Sequence, residues 1–372
     1  MEKRALQLAS VASMIDQFNI PNIKVLQSLG YRVDVVANFS NPGTITAERS
    51  ESLKKRLNDM GVRVFDVSIP RSLNLKTILS AYHRVKDLIN ENGYSIVHCH
   101  SPIGGVIARM AAKHKRKEGL KVIYTAHGFH FYKGASFMNW LIFYPIEKFC
   151  SRYTDVLIAI NKEDYKRAVD KFKARKTVYI PGIGIDTEKF KPDSSAREKI
   201  RNSLGVKDGQ TILLSVGELN KNKNHESVIR AIQGMDLIYV IVGKGDLKEK
   251  LELVARENDV DLRLIGFKND VVDYYNAADF YILPSIREGL NVSLMEAMAC
   301  GLPVACSNIR GNRDLISDCL FYPTNIVEIK KCLTKVFEKK SDMGENNLRT
   351  IRSFDLQTVE KKIREIYMEC GK

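Results

Sequence analysis

Short runs of β-branched and apolar residues alternate along the chain with longer amphipathic stretches, and this alternation restricts the fold most. The predicted strands form two series: Ala5–Leu8, Arg32–Ala37, Val62–Val67, Ile96–His98, Val122–Thr125 and Val156–Ile160, then Thr211–Val216, Ile238–Val242, Leu262–Ile265, Phe280–Leu283 and Val304–Cys306. Strands that alternate with helices form a parallel sheet with helices on both faces. The sequence therefore predicts an α/β fold with two doubly wound, Rossmann-like parallel sheets.

The boundary between the two series is the segment 181–186, which contains a proline and two glycines after a strand. A length of 372 residues also favours two domains at about 150 residues each. We place the domains at 1–181 and 187–372, with a last helix that can pack back on the first domain. Because such sheets bind ligands beyond the carboxyl ends of their strands, we expect a cleft between the domains.

Composition excludes several classes of protein. Hydrophobic residues make up 44% and charged residues 27%, which excludes wholesale disorder. The longest apolar stretch, 135–146, is interrupted by Asn139 and is too short for a membrane span of about 18 residues. Lys3 and Arg4 precede too short an apolar run for a secretory signal. Seven cysteines without a CxxC pair indicate reduced thiols, so we predict a cytoplasmic protein.

The net charge of +14 lies entirely in the first half of the chain, because residues 186–372 contain equal numbers of basic and acidic residues. Such asymmetry indicates an anionic partner: a lipid headgroup surface, a pyrophosphate-bearing substrate or nucleic acid. A non-enzymatic binder of membrane or nucleic acid would explain the basic half. It would leave the loops of the neutral half unexplained, so we expect no nucleic-acid partner.

The segment 284–304 carries the most specific chemistry. It reads as a strand, a tight loop, a helix, a glycine stop and another strand. We expect the turn at Glu288 and Gly289 to open the helix, whose free N–H groups form an anion site. Glu288 and Glu296 can each accept hydrogen bonds from sugar or ribose hydroxyls. The alternative is a capped helix with two solvated glutamates, and the flanking loop and strands favour the binding site.

The pair Glu288 and Glu296, inside REGLNVSLMEAMACGLPV, resembles the signature of the family 4 retaining glycosyltransferases, which have the GT-B fold. The similarity extends over nearly the whole chain, through IVHCHSPIGG, TAHGFHFYKGA, YIPGIGIDTEKF, SVGELNKNKNHE, IVGKGDL and LIGFKNDVVDYYNAADFYILPS. It is strongest to bacterial members that build exopolysaccharide and capsule repeat units on a lipid carrier. The resemblance implies an acceptor-binding first domain and a nucleotide-sugar-binding second domain.

The resemblance also assigns roles to residues. Glu288 would meet the 3-hydroxyl region of the sugar and Glu296 would hold the ribose, with amides presented to the diphosphate and sugar by Gly289, Leu290 and Asn291. The base would pack on the turn formed by Gly266, Phe267 and Lys268. Lys223 would bind the diphosphate next to Gly217, but Glu218 occupies the usual arginine position. Candidates for the missing charge are Lys221, Arg287 and Arg313.

In the first domain, His127 matches a family histidine that lies over the donor sugar and is predicted to be catalytic together with Glu288 and Lys223. The alternative is a hydrogen-bonded structural histidine. His98 and His100 point to the same side of a strand, but no third ligand completes a metal site. His100 is a candidate acceptor contact. The usual double-glycine loop is missing, and Asp16 in its replacement is either an acceptor contact or a helix cap.

No cofactor or essential metal is expected. Asp259 and Asp261 form a DxD pattern, but it precedes a strand rather than following one and is predicted to be a turn. A cluster of aromatic residues at 129–145, beside lysines, is either core or a surface that rests in a membrane interface. A polyprenyl-diphosphate acceptor would need such a surface, so we predict peripheral association with the inner face of the cell membrane.

Together these features predict transfer of a hexose or N-acetylhexosamine from a UDP-sugar to a lipid-linked saccharide. The resemblance implies retention at the anomeric carbon through front-face attack. A nucleotide-sugar epimerase or hydrolase of the same architecture is the alternative enzyme. The sugar, the acceptor and the choice between UDP and GDP stay open.

Overall fold

The computed structural model describes residues 2–372, and the chain divides into two compact units. The first unit comprises the residues up to Ile183 together with Gln357–Lys372, and the second unit comprises Gly184–Leu356. The last helix therefore belongs with the first unit. Each unit contains one parallel sheet, which confirms the predicted α/β class with two doubly wound sheets.

The sheet of the first unit has seven strands in the order β3-β2-β1-β4-β5-β6-β7. The strands are β1 (Arg4–Val11), β2 (Arg32–Asn38), β3 (Arg63–Asp66), β4 (Ile96–His100), β5 (Lys121–Ala126), β6 (Val156–Ala159) and β7 (Lys176–Tyr179). The helices are α1 (Ala12–Phe18), α2 (Ile20–Ser28), α3 (Ala47–Asp59), α4 (Leu75–Asn92), α5 (Pro102–Ala112), α6 (Phe137–Cys150) and α7 (Lys162–Lys171). Apolar cores lie on both faces of this sheet.

The second unit repeats this plan with six strands in the order β10-β9-β8-β11-β12-β13. They are β8 (Ile212–Val216), β9 (Ile238–Val242), β10 (Asp261–Gly266), β11 (Phe280–Leu283), β12 (Val304–Ser307) and β13 (Leu320–Phe321). The helices are α8 (Ser194–Ser203), α9 (His225–Ala231), α10 (Lys248–Glu257), α11 (Val272–Ala277), α12 (Val292–Ala299), α13 (Asn312–Leu315), α14 (Ile326–Glu338) and α15 (Lys340–Ile351). In both sheets the strand order reverses beside the first strand of the unit, where doubly wound folds form their ligand crevice.

Two edge strands, β7 and β13, were absent from the predicted series. They comprise four and two residues. A run this short gives too few alternations to distinguish a strand from a loop.

None of the helices described for residues 2–372 combines the length and the apolar character that a membrane span requires.

The last helix, α16 (Leu356–Cys370), returns to the sheet of the first unit. Its buried side chains Val359, Ile363, Ile366 and Tyr367 recur at helical spacing and join the core beside β1. The helix therefore places a tyrosine from the far end of the chain directly beneath the first sheet.

Candidate functional site

The reversal of strand order in the second sheet lies between β8 and β11, and the loops that follow these two strands bind each other. The backbone N–H of Ile286 donates to the carbonyl of Asn222 at 2.8 Å. The side chain of Asn222 donates to the carbonyl of Arg287 at 3.1 Å. The two loops therefore form one surface at the carboxyl edge, where the sheet can receive a ligand.

Lys223 and Glu288 form an ion pair at the centre of this surface. The Nζ of Lys223 donates to Oε1 of Glu288 at 2.7 Å, and both side chains are more than four-fifths buried. The lysine stem lies against Gly217, where a Cβ would come within 3.2 Å of its Cε. A Cβ at Gly243 would lie only 1.8 Å from the Gly217 carbonyl oxygen, so glycine is required there. The fold therefore brings two predicted site residues, Lys223 and Glu288, into direct contact.

A third loop, after β12, supports the loop that carries Glu288. Gly311 has a φ of +79°, and a Cβ there would lie 2.1 Å from the carbonyl oxygen of Gly289. The neighbouring Arg310 is buried and donates from Nε to the carbonyl oxygen of Glu288 at 3.2 Å. Sequence reasoning missed Arg310 and named Lys221, Arg287 and Arg313 instead. The available signal was a basic residue directly before a glycine and shortly after a strand.

The structure corrects the predicted start of the helix. Helix α12 begins at Val292, and its N-cap is Asn291, whose side-chain oxygen accepts from the N–H of Leu294 at 3.0 Å. Glu288 therefore lies in the loop and not at the first turn of a helix. The prediction failed because Asn291 before an apolar run is itself a strong N-cap signal. The carboxylates of Glu288 and Glu296 belong to different structural elements.

Glu296 lies in the second turn of α12 and accepts a hydrogen bond from the hydroxyl of Tyr275 at 2.7 Å. Burial raises the pKa of Glu296 to about 7, although the hydrogen bond from Tyr275 acts in the opposite direction. The carboxyl group is therefore close to half-ionised at neutral pH. A bound molecule that donates hydroxyl hydrogen bonds would favour the ionised form.

Several of the remaining predicted donor residues are exposed. Gly266 ends β10, and Phe267 follows with 58% of its surface exposed and Lys244 over its ring at 5.6 Å. Lys268, Lys221 and Arg287 are exposed. Arg313 donates to Asn308 at 3.4 Å, and Glu218 accepts from Asn220 at 2.7 Å.

In the first unit, the predicted histidines lie where β4 and β5 end. His127 follows β5, and its Nε2 lies 3.1 Å from Nδ1 of His100, the last residue of β4. Burial lowers the pKa of the His127 ring to about 4 and that of His98 to about 3. These rings are therefore neutral at physiological pH, which excludes a role as permanent cations for phosphate.

Of the two predicted roles of Asp16, the structure excludes the helix cap. Asp16 lies inside α1, whose N-cap is Val11, so the prediction of a helix cap is wrong. Its carboxylate accepts from Nε of Arg49 at 2.7 Å. An acceptor molecule would have to compete with this ion pair.

The first aspartate of the DxD pattern lies in the turn before β10, and the second is the first residue of that strand. Asp259 has a φ of +52°, and Asp261 pairs with Arg263 at 2.8 Å. Within residues 2–372 no group of three His, Cys, Asp or Glu side chains could hold a metal ion.

The aromatic cluster divides between core and surface. Phe129 and Phe131 are buried and stack at 4.8 Å. On α6, by contrast, Phe137 is 77% exposed, and Met138 and Leu141 are also exposed. The buried rings fit the core alternative, and for the exposed side chains of α6 the membrane interface stays a prediction.

Two family models together match most of the chain. A model of the family described as Glycosyltransferase Family 4 matches residues 23–189, and one described as Glycosyl transferases group 1 matches residues 196–349. The EpsD protein of Bacillus subtilis, which carries a provisional glycosyltransferase name, is 36% identical over 86% of this chain and 82% of its own. An Escherichia coli protein is 27% identical over 98% of this chain and 96% of its own. It is named as an α-1,3-galactosyltransferase that acts on α-D-GlcNAc-diphosphoundecaprenol with UDP-Gal.

Solved structures show the same fold. A glycosyltransferase from Rickettsia africae superposes with a TM-score of 0.79 at 19% identity, covering 100% of this chain and 99% of its own. HepE from Anabaena in complex with UDP superposes with a TM-score of 0.78 at 18% identity, covering 98% of this chain and 100% of its own. At these identities the similarity establishes the architecture alone.

Proposed function

Since the chain belongs to the family 4 glycosyltransferases and has the GT-B fold, we propose that it transfers a hexose or N-acetylhexosamine from a UDP-sugar to a lipid-linked saccharide in exopolysaccharide or capsule synthesis. The observation that carries this proposal is the Lys223–Glu288 ion pair, held at the strand-order reversal of the second sheet. The name of the Escherichia coli relative supports the lipid-linked acceptor. The UDP complex of Anabaena HepE supports the donor class.

The ion pair explains how one loop can serve both a phosphate and a sugar. A diphosphate that binds Lys223 would replace Glu288 as the partner of the ammonium group. Glu288 would then be available to accept hydrogen bonds from sugar hydroxyls. In this arrangement binding of the phosphate and recognition of the sugar are coupled through one salt bridge.

Glu218 stands where the family usually has an arginine, and Arg310 supplies the positive charge that is missing from that position. Its guanidinium lies beneath the backbone of Glu288, whereas the candidate Arg313 is exposed. A buried guanidinium strengthens the attraction for a diphosphate because solvent screens it less.

The remaining contacts complete a nucleotide site. Glu296 accepts hydrogen bonds from the ribose hydroxyls, and the exposed ring of Phe267 offers a surface for the base. Stabilisation of the leaving diphosphate, rather than a protein nucleophile, then provides the catalytic effect. With no covalent intermediate, front-face attack gives retention, and the departing phosphate takes the proton of the acceptor hydroxyl.

The acceptor lipid requires contact with a membrane, and the first unit offers a suitable surface. Helices α4 and α6 both pack against α5 and begin after parallel strands, so their first turns lie at the same edge of the sheet. Leu75 on α4 and Phe137 on α6 are each more than three-quarters exposed. Basic side chains lie at the opposite end of α6 from Phe137, with Lys148 over Tyr144 at 5.7 Å and Arg152 over Phe149 at 6.0 Å. We propose that this surface binds anionic lipid headgroups.

The test is a binding screen of UDP- and GDP-sugars, followed by transfer to a polyprenyl-diphosphate saccharide. We expect a UDP-sugar to bind, and Lys223→Ala to abolish both binding and transfer. Lys199→Ala, an exposed lysine of α8, is the matched control and should leave both unchanged. Isomerised or hydrolysed sugar without acceptor would contradict the proposal in favour of an epimerase or hydrolase.

A further inference from the structure

A continuous chain of buried hydrogen bonds connects His127 to the last helix. His127 contacts His100 at 3.1 Å, and Nε2 of His100 lies 3.2 Å from Oε1 of Gln7 on β1. Nε2 of Gln7 donates to the hydroxyl of Tyr367 on α16 at 2.9 Å. The chain continues to His98, whose Nδ1 lies 2.7 Å from the Tyr367 hydroxyl and 3.5 Å from Nε2 of Gln7, and it ends at Thr125, whose Oγ1 lies 2.8 Å from Nε2 of His98.

Each of the inner groups is fully or almost fully buried. Gln7, His98 and Tyr367 have no exposed surface, and His100 has 1%. Burial lowers the pKa of His100 well below its usual value, as it does for His98. A neutral imidazole has one donor nitrogen and one acceptor nitrogen. If one ring nitrogen donates a hydrogen bond, the other nitrogen of that ring can therefore only accept one.

The Gln7 amide determines the direction of the chain. Its oxygen can only accept, so Nε2 of His100 donates and Nδ1 of His100 accepts. Nε2 of His127 must then carry a proton in order to donate to His100. On the other side, the Tyr367 hydroxyl receives from Gln7 and donates to Nδ1 of His98. All three imidazoles consequently carry their proton on Nε2.

We propose that this chain holds His127 as a neutral acceptor, with the proton on Nε2 and the lone pair of Nδ1 available to a bound hydroxyl group. Gln7, His100 and Tyr367 are positioning residues, since they act on a ligand only through His127. The His127 side chain retains partial exposure, and His100 is its hydrogen-bond partner among residues 2–372. The ligand class is a sugar hydroxyl rather than a phosphate, because an acceptor lone pair repels an anion. The hydroxyl assignment rests on the proposed transferase function, whereas the tautomer does not.

The role of Tyr367 gives the last helix a function beyond packing. Tyr367 lies 360 residues from Gln7 along the chain, and its hydroxyl joins Gln7 to His98 through contacts of 2.9 Å and 2.7 Å, which are shorter than the direct Gln7–His98 contact of 3.5 Å. Loss of that hydroxyl removes the shorter of the two contacts that orient the Gln7 amide nitrogen. His100 and His127 can then exchange to the opposite tautomer together.

The decisive measurement is the ring tautomer by ¹⁵N–¹H correlation spectroscopy of the full chain labelled in histidine, at pH 7. We expect His98, His100 and His127 to be neutral with the proton on Nε2, with the His127 signals assigned by their loss in His127→Gln. A proton on Nδ1 of His127, or a charged ring, would overturn the proposal without any variant having to fold.

Two variants test the positioning role. Tyr367→Phe and Gln7→Met should give a mixture of tautomers at His127 and lower kcat/KM by about tenfold, equivalent to one lost hydrogen bond. Tyr31→Phe is the matched control, because Tyr31 is buried in the same core beside α16 but is not in the chain. An unchanged His127 tautomer in both folded variants would refute the role of Gln7 and Tyr367. The expected tautomers without any sugar transfer would instead reject only the proposed function.

Discussion

Lys223 donates a hydrogen bond to Glu288 across 2.7 Å, although the two residues lie 65 positions apart and follow different strands of the second sheet. The pair satisfies a lysine that would otherwise be a partly buried cation without a counter-charge. It also means that a phosphate ligand must compete with a carboxylate for the same ammonium group.

This competition predicts opposite effects for the two partners. Glu288→Gln should strengthen UDP binding by about tenfold, or roughly 1.4 kcal/mol, because the ion pair need not be broken, and should reduce sugar transfer. Lys223→Met should weaken UDP binding by at least as much. Calorimetric titration with UDP measures both effects. Weaker UDP binding in Glu288→Gln would show that the carboxylate does not compete with the phosphate.

The pKa of Glu296, raised to about 7 by burial, predicts a pH-dependent donor affinity. Ribose hydroxyls donate to the ionised carboxylate, so binding should improve as the pH rises from 6 to 8. A UDP-sugar is the suitable ligand, since its diphosphate diester does not titrate in this range. Glu296→Gln should bind more weakly and lose the pH dependence. A wild-type affinity that is constant from pH 6 to 8 would argue against this contact.

Buried neutral histidines predict loss of stability in mild acid. The folded-state pKa values of His98 and His225 are lowered to about 3 by burial. The unfolded chain therefore binds protons first, and stability is retained above about pH 6.5 and falls as the pH drops toward the folded-state values. At pH 5 each ring should cost about 2 kcal/mol of unfolding free energy.

Denaturant unfolding between pH 7 and pH 5 measures this loss. His225→Gln should have a shallower dependence on pH than the wild type. The same substitution at His83, which is exposed, is the control and should keep the wild-type slope. Equal slopes for His225→Gln and the wild type would mean that His225 gains its proton in the folded state.

Arg310 and Arg313 provide a direct comparison of a buried and an exposed cation. Arg310→Gln should weaken UDP binding by about tenfold, because it removes a charge held beneath the Glu288 loop. Arg313→Gln should change the affinity by less than about twofold. Circular dichroism of both variants checks that the fold is intact. The reverse order of effects would assign the second charge to Arg313.

The exposed apolar turns of α4 and α6 predict membrane binding that depends on lipid charge. The double variant Leu75→Ser, Phe137→Ser should reduce co-sedimentation with vesicles that contain phosphatidylglycerol by about tenfold. Neutral phosphatidylcholine vesicles should bind the wild type weakly. Val327, exposed on α14 of the second unit, provides the control substitution Val327→Ser. Equal binding of all three proteins would exclude this surface as the lipid contact.

Several features of the site were predictable because their signals are local. The loop with Glu288, the helix with Glu296 and the glycine stop before β12 are contiguous in sequence, so strand periodicity and spacing were sufficient to locate them. The true start of α12 at Val292 also had a local signal, the asparagine N-cap. The prediction missed it because the glutamate–glycine turn was given more weight than the capping residue.

The sequence by itself determined the alternation of strands and helices, the two-sheet plan and the identity of the carboxylates, because short-range periodicity and turn chemistry encode them. Only the tertiary structure decided that Lys223 pairs with Glu288, that Arg310 lies beneath the Glu288 loop, and that Tyr367 reaches Gln7. These contacts join residues far apart in the chain. They depend on strand order and on which sheet the last helix packs against, and neither leaves a local pattern in the sequence.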